Sequence, residues 1–384
     1  MSALFTPLEL RGVRLRNRIA ISPMCQYSAH DGWPSDWHAK HVGRMADGGA
    51  GLVILEATAV EKRGRGTCGD LGIWDDAQVP ALRALATTIE AAGSVAGIQI
   101  GHAGRKAAAQ RPWDGNGPLD ADDERLRGER AWTAIAPSPL PVNERWPTPR
   151  ALDAHEMPGL VESFRLAALR AVAAGFRFVE VHAAHGYLLH EFLSPLSNRR
   201  TDDWGGSLAH RMRLPLAVVE AVREALGPDR LLSVRISAVD GAEGGWSLDD
   251  SVVFARELAA RGVDFVDCSS GGVAGPATAA NDRFAVKRFP GFQVPFAERV
   301  KRDAGIATIA VGLITTPAQA DAVIADGRAD LVAIGRQALV EPNWPLQAAF
   351  ALGEDPDWSR WPSQYGWWLA RRAGLDDPTG RSGR

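Results

Sequence analysis

Cysteine is scarce in this 384-residue chain. Cys25, Cys68 and Cys268 are too few and too scattered for a disulfide framework or a four-thiolate cluster within one chain, so a reducing, cytoplasmic setting is expected. No run approaches the roughly 18 uncharged apolar residues of a membrane span. The opening Met1-Ser-Ala-Leu-Phe-Thr-Pro7 lacks the basic stretch and apolar core of a signal peptide. A net charge of −3 and a pI near 6.3 supply no electrostatic reason to expect nucleic acid or an anionic membrane. Also missing is a G-x-G-x-x-G after the first apolar run, which counts against a doubly wound dinucleotide-binding sheet. A soluble protein acting on small molecules remains.

Short β-rich apolar runs recur, each followed by turn residues and a helical pattern. They cover 18–22, 52–57, 96–102, 178–182, 231–236, 265–269, 308–311 and 331–334. Helical periodicity fills 77–92, 154–174, 208–226, 248–261, 295–304 and 317–325, most clearly where Leu160, Phe164, Ala167, Ala168 and Ala171 share a face. Ser247 reads as a helix N-cap with Asp250 in the first turn, and Gly262 as that helix's stop. Glycines at 48–49, 175, 262 and 327 each precede a short spacer and a strand, as a repeated helix-to-strand turn requires. Eight strands alternating with helices predict a single (β/α)8 TIM barrel over 1–372.

Two stretches depart from the rhythm. Residues 104–152 form a long excursion after strand three, rich in proline and holding Trp113, Trp132 and Trp146, expected to pack over the site as a lid. Residues 358–372 carry Trp358, Trp361, Trp367 and Trp368, either closing the barrel floor or forming an arm to a neighbouring subunit. The Gly/Pro/Asp-rich end, 373–384, is expected to be a flexible tail.

Barrel chemistry gathers at the carboxyl ends of the strands. There the chain places Cys25 and Tyr27, Ala57, Gln99, His102 with Arg105-Lys106, His182, His185 and Tyr187, Arg235, Ser269-Ser-Gly-Gly272, Gly312, and Gly335-Arg336. Glycines after strands seven and eight suit a phosphate site with Arg336 as its charge, or are plain turn glycines beside a surface arginine. His182 and His185 could be zinc ligands, although His190-Glu191 lacks a second histidine four residues on. They could be satisfied core histidines, or two donors polarising one carbonyl or nitro oxygen, and the last is favoured. Tyr187, one of three tyrosines, is a general acid or a packed aromatic. Arg235 interrupts an apolar strand, where a guanidinium is costly unless it faces an anion. Gln99 suits a flat heterocycle with alternating acceptors and donors, or backbone nearby, and Cys25 could be only a small buried hydrophobe.

In order and at matching spacing, Ser22-Pro-Met-Cys-Gln-Tyr27, Gly97-Ile-Gln-Ile-Gly-His-Ala-Gly-Arg-Lys106, His182-Ala-Ala-His-Gly-Tyr-Leu188, Leu193-Ser-Pro-Leu-Ser-Asn-Arg-Arg-Thr-Asp202, Trp204-Gly-Gly-Ser207 and Ala333-Ile-Gly-Arg336 resemble the old yellow enzymes, above all the thermophilic-like, xenobiotic reductase branch. The resemblance implies an FMN-containing barrel that takes hydride from NAD(P)H, with NADPH favoured, and passes it to an electron-poor alkene. It implies that Ser22, Pro23, Met24 and Cys25 line the flavin, with Cys25 tuning its potential. Ala57 and Gln99 would contact the ring system, Arg235 its N1–O2 edge, and Gly312, Gly335 and Arg336 the phosphate. His182 and His185 would bind the substrate oxygen, Tyr187 would supply the proton, and Tyr27 would help close the pocket.

The C-terminal region departs from the branch's usual crossing arginine, so Trp368 or Trp367 is expected to enter a partner's site in a homodimer or homotetramer. Three rivals stand against this picture. An iron–sulfur dienoyl-CoA or amine reductase needs closely spaced cysteines, a phosphate-binding lyase or isomerase would be colourless, and a flavin-binding sensor would not turn over.

Overall fold

The barrel is closed. The computed structural model describes residues 2–273 and 286–372, so the tail expected at 373–384 lies outside the described residues. The ring strands are β1 (Ile19–Ile21), β2 (Leu52–Ala59), β3 (Val95–Gly101), β4 (Phe178–Ala183), β5 (Leu231–Ser237), β6 (Phe265–Ser269), β7 (Ala307–Val311) and β8 (Leu331–Ile334). Each pairs in parallel with the next. The ring shuts where Val332, Ala333 and Ile334 pair with Ile19, Ala20 and Ile21. A doubly wound sheet would leave two open edges, so the (β/α)8 expectation holds.

Strands covered on both faces read as continuous apolar runs, and these do. Inside, Leu52, Ile54, Phe178, Leu231, Phe265, Ile309 and Leu331 form one cluster. It is plugged at the amino end by Val13 and Leu15 from a hairpin, Leu8–Leu10 with Val13–Leu15. Outside lie α1 (Asp36–Asp47), α2 (Val79–Ala91), α3 (Met157–Ala173), α4 (Leu208–Leu226), α5 (Leu248–Ala260), α6 (Val294–Ala304), α7 (Pro317–Ala325) and α8 (Trp344–Ala351). The five residues expected on one face of α3 are all buried, and Ser247 and Asp250 form a capping box at the start of α5. The repeated joints adopt positive φ at Gly49 (+95°), Gly175 (+96°), Gly262 (+77°) and Gly327 (+69°), which side-chain-bearing residues resist.

Helix α1 was not expected, because one position of its buried stripe (His38, Val42, Met45, Ala46) is a histidine. The 104–152 excursion contains a short helix, Ala121–Arg127, and a two-strand pairing of Ile135–Ala136 with Arg150–Ala151. It is held down by specific bonds: Arg111 Nε donates to the Tyr27 carbonyl at 3.0 Å and Trp132 Nε1 to the Arg63 carbonyl at 2.8 Å. The Trp-rich segment ends in a helix, Ser363–Arg372.

Candidate active site

Above the apolar plug the inward side chains turn polar. Gln99 Nε2 donates to Glu180 Oε1 at 2.8 Å, and Ser233 Oγ to Glu180 Oε2 at 3.0 Å. Arg235 Nη1 donates to Ser22 Oγ at 3.0 Å while its Nε stands 3.5 Å from Asp267 Oδ2. Burial, with Asp267 adding its charge, holds Glu180 well above the usual carboxylate range, and burial also pushes Asp267 up; Arg235 opposes both shifts. Two buried carboxyls facing one guanidinium retain a proton at neutral pH. Arg235 Nε and both Asp267 oxygens are buried without a hydrogen-bond partner. Gln99 has committed its donor end to Glu180 and keeps its acceptor end for a ligand.

The loop after β1 supplies one rim. A bulge in β2 shifts the register between Leu55 and Ala57, so Ala57 pairs with Gln99 and is the one half-exposed residue of its strand. The extra residue, Glu56, turns outward. It accepts from the Gln26 N–H and lies 2.8 Å from His38 Nε2. Because the Ser35 N–H donates to His38 Nδ1, the His38 proton sits on Nε2 and bonds Glu56. That clamp sets the course of Ser22, Pro23, Met24, Cys25 and Tyr27. Burial, then the Asp70 and Glu56 charges, pushes the Cys25 thiol up, so it stays protonated. Tyr27, at φ 51°, sets its ring edge-on to Trp113 of the excursion, centroids 5.7 Å apart.

The opposite wall follows β4. His182 Nε2 and His185 Nδ1 face each other at 3.3 Å, and His185 Nε2 lies 2.7 Å from Ser269 Oγ. The Tyr187 ring stands edge-on to His182, centroids 4.8 Å apart. Burial, then the Arg235 charge, holds both imidazoles well below their ordinary pKa, so they are neutral donors. Burial raises the Tyr187 phenol, which stays protonated. Lys106 Nζ donates to the carbonyls of His185 (2.6 Å) and Gly272, and burial lowers its pKa to about 7.

The remaining corner lies beyond β7 and β8. Gly312 has φ +126°, and a Cβ there would stand 3.0 Å from Gln293 Nε2. Gln293 ties the corner together: Ser270 Oγ donates to its Oε1 at 2.7 Å, and its Nε2 donates to the Val311 carbonyl at 3.0 Å. A Cβ on Gly335 would meet Met24 Sδ and Ser22 Cβ at 3.8 Å. Arg336 is exposed, and among the described residues no carboxylate lies within ion-pair distance of it.

A flat heterocycle with an anionic tail fits this mouth. It meets a buried guanidinium whose Nε has no hydrogen-bond partner, an amide with an uncommitted acceptor, a rim residue reduced to a methyl, and, beside two glycines, an exposed arginine with no ion pair among the described residues. Most of the strand-end residues therefore come together at the mouth, while His102 stands apart. His102 is buried behind the site, its Nε2 3.6 Å from Glu61. His190 is committed elsewhere, its Nε2 2.9 Å from Asp240 and its Nδ1 accepting from the Gly186 N–H at 2.8 Å. Trp367 and Trp368 are exposed on the last helix, packed edge-on against each other with Arg371 over Trp367.

Sequence reasoning overlooked Glu180, Asp267, Ser233, Ser237 and Gln293. The carboxyls had a signal: each sits two residues after an inward phenylalanine, in Phe178-Val-Glu and Phe265-Val-Asp. Among the described residues no group of three or more His, Cys, Asp or Glu side chains is placed to hold a metal. None of their helices is long and apolar enough to cross a membrane.

Fold and site together define a flavin-type barrel oxidoreductase. The family model described as NADH:flavin oxidoreductase / NADH oxidase, an FMN oxidoreductase model, matches residues 3–354, and the chain belongs to that family, whose cofactor is FMN. It is 44% identical over 356 residues to an NADPH dehydrogenase of Listeria innocua, covering 92% of this chain and 96% of that one. Among solved structures, morphinone reductase superposes with a TM-score of 0.73 at 30% identity, covering 92% of this chain and 90% of its own. A 2-naphthoyl-CoA reductase superposes with a TM-score of 0.80, but at 24% identity, and the chain spans 53% of its length, so it speaks for the fold alone.

Proposed function

We propose that this enzyme is an NADPH-dependent ene-reductase acting on electron-poor alkenes: enones, enals, maleimides and nitro compounds. What bound FMN supplies is hydride transfer, in from NADPH and out to the β-carbon of the alkene. Ser22, Pro23, Met24, Cys25, Ala57 and Gln99 would line its ring system, with Arg235 at the edge where negative charge gathers, and Gly312, Gly335 and Arg336 would take the phosphate. A protonated Cys25 thiol suits a residue that tunes the flavin without attacking substrate.

The chain's own residues then do three things. His182 and His185, both neutral, donate to the substrate's carbonyl or nitro oxygen and stabilise the charge growing there. Tyr187, held protonated beside them, hands its proton to the α-carbon. Tyr27 and the 104–152 excursion cover the rim and exclude water. In a homodimer or homotetramer, Trp368 or Trp367 of one subunit would complete the neighbour's pocket; both are exposed here. A cytoplasmic location belongs to the same reading, with NADPH at hand.

The observation that carries the proposal is the pair of inward imidazoles, 3.3 Å apart at the mouth with the phenol against them. The test is anaerobic reduction of the purified yellow protein by NADPH, then mixing with 2-cyclohexenone. Rapid reoxidation with saturated ketone as product is expected. A reduced protein that the enone leaves untouched would end the proposal.

A further inference from the structure

His185 is held at every polar atom. It adopts φ 61°, an unfavourable conformation for a residue with a side chain. Its N–H donates to Ser237 Oγ at 2.9 Å, and Ser237 Oγ in turn donates to the Gly271 carbonyl at 2.7 Å. Its carbonyl accepts from Lys106 Nζ at 2.6 Å, and its Nε2 lies 2.7 Å from Ser269 Oγ. So much restraint on one ring raises the question of where its proton sits.

The neighbours answer it. The Ala184 N–H donates to His182 Nδ1 at 3.2 Å, so neutral His182 carries its proton on Nε2. That proton points at His185 Nδ1, 3.3 Å away, which must then accept. With the two rings in this contact His185 therefore holds its proton on Nε2 and donates to Ser269 Oγ. Two imidazoles that both donate to one substrate oxygen require the opposite arrangement: proton on Nδ1, with Nε2 accepting. Only a partner able to both accept and donate serves the two states, and a hydroxyl is such a partner.

We propose that Ser269 is a positioning residue that switches His185 between tautomers, closing the histidine pair on itself when the site is free and opening it to an oxygen ligand. The inference rests on the oxygen-binding role given above to His182 and His185. His185 keeps one ring proton throughout: as a proton arrives at Nδ1 another leaves Nε2, and the Ser269 hydroxyl rotates from acceptor to donor. When the ligand is a phenol, its own proton supplies Nδ1, phenolate remains, and one proton passes to solvent. Alanine at 269 would remove the buried hydroxyl that Nε2 faces in either state.

The test uses the FMN-loaded protein with nitrogen-15 in its histidine rings, free and saturated with 4-hydroxybenzaldehyde, with His185 signals assigned by their loss in His185→Gln. The proton should sit on Nε2 in the free enzyme and on Nδ1 in the complex. Ser269→Ala should bind the phenol about tenfold or more weaker. Ser269→Thr, which keeps the hydroxyl, should restore both the switch and the affinity. If Ser269→Ala loses its FMN, the wild-type and threonine spectra decide the matter. A bound phenol with the His185 proton on the same nitrogen as before overturns the switch and leaves the oxygen-binding pair standing. Failure of any phenol to bind overturns both.

Discussion

Gln99 of β3 gives its amide proton to Glu180 of β4 at 2.8 Å, and both side chains are sealed inside the barrel. An amide can present either end to a ligand, and here the strand next door decides which. Glu180 thus acts at one remove on whatever Gln99 touches. Glu180→Gln should free that choice and weaken FMN binding by about 1–3 kcal/mol, the cost of one mispaired buried group. Fluorescence of released FMN on dilution measures it, and unchanged retention would detach Glu180 from cofactor binding.

Tyr187→Phe removes the phenol and keeps the ring against His182. Reoxidation of reduced enzyme by an enone should slow by about a hundredfold to ten-thousandfold, the usual worth of a general acid, with reduction by NADPH little changed. Stopped-flow absorbance separates the two half-reactions. Equal losses in both would show that Tyr187 shapes the pocket without donating the proton.

Arg235→Met leaves Asp267 buried opposite no cation. Breaking such a pair costs about 3–5 kcal/mol, whereas neutralising both partners costs far less. The single variant should therefore melt well below wild type, and Arg235→Met combined with Asp267→Asn should recover much of the loss. Both should bind FMN poorly. Equal melting of the single and double variants would refute the pairing.

Glu191 is fully buried, and burial pushes its carboxyl from 4.5 up to about 8, against the opposing pull of Arg105 and Lys106. A raised carboxyl binds its proton more tightly in the folded protein. Its contribution to stability is therefore complete below about 4.5 and lost as pH rises through about 8. Glu191→Gln, which cannot ionise, should lose less stability than wild type across that window in denaturant titrations. Parallel pH curves would contradict the shift.

The fold was legible because parallel strands buried on both faces write themselves as apolar runs, and the helix-to-strand turns announce themselves through glycine, as at Gly175 and Gly262. The site was legible where chemistry stands at a strand end, as with His182, Tyr187 and Arg235. Glu180 and Asp267 were not, since a lone acidic letter in an apolar strand does not say which neighbour it meets until the register aligns Arg235 with Asp267. Helix α1 escaped because His38 occupies an apolar position for the sake of Glu56, the outward-turned bulge residue of β2.

The central claim is that FMN lies across the mouth with His182 and His185 standing over it. Titrating the oxidised holoenzyme with 4-hydroxybenzaldehyde while recording visible absorbance tests it most directly. A long-wavelength charge-transfer band should grow with saturation in the wild type and vanish in His182→Ala and His185→Ala variants that retain FMN. The same band, at the same affinity, in either variant would contradict the account.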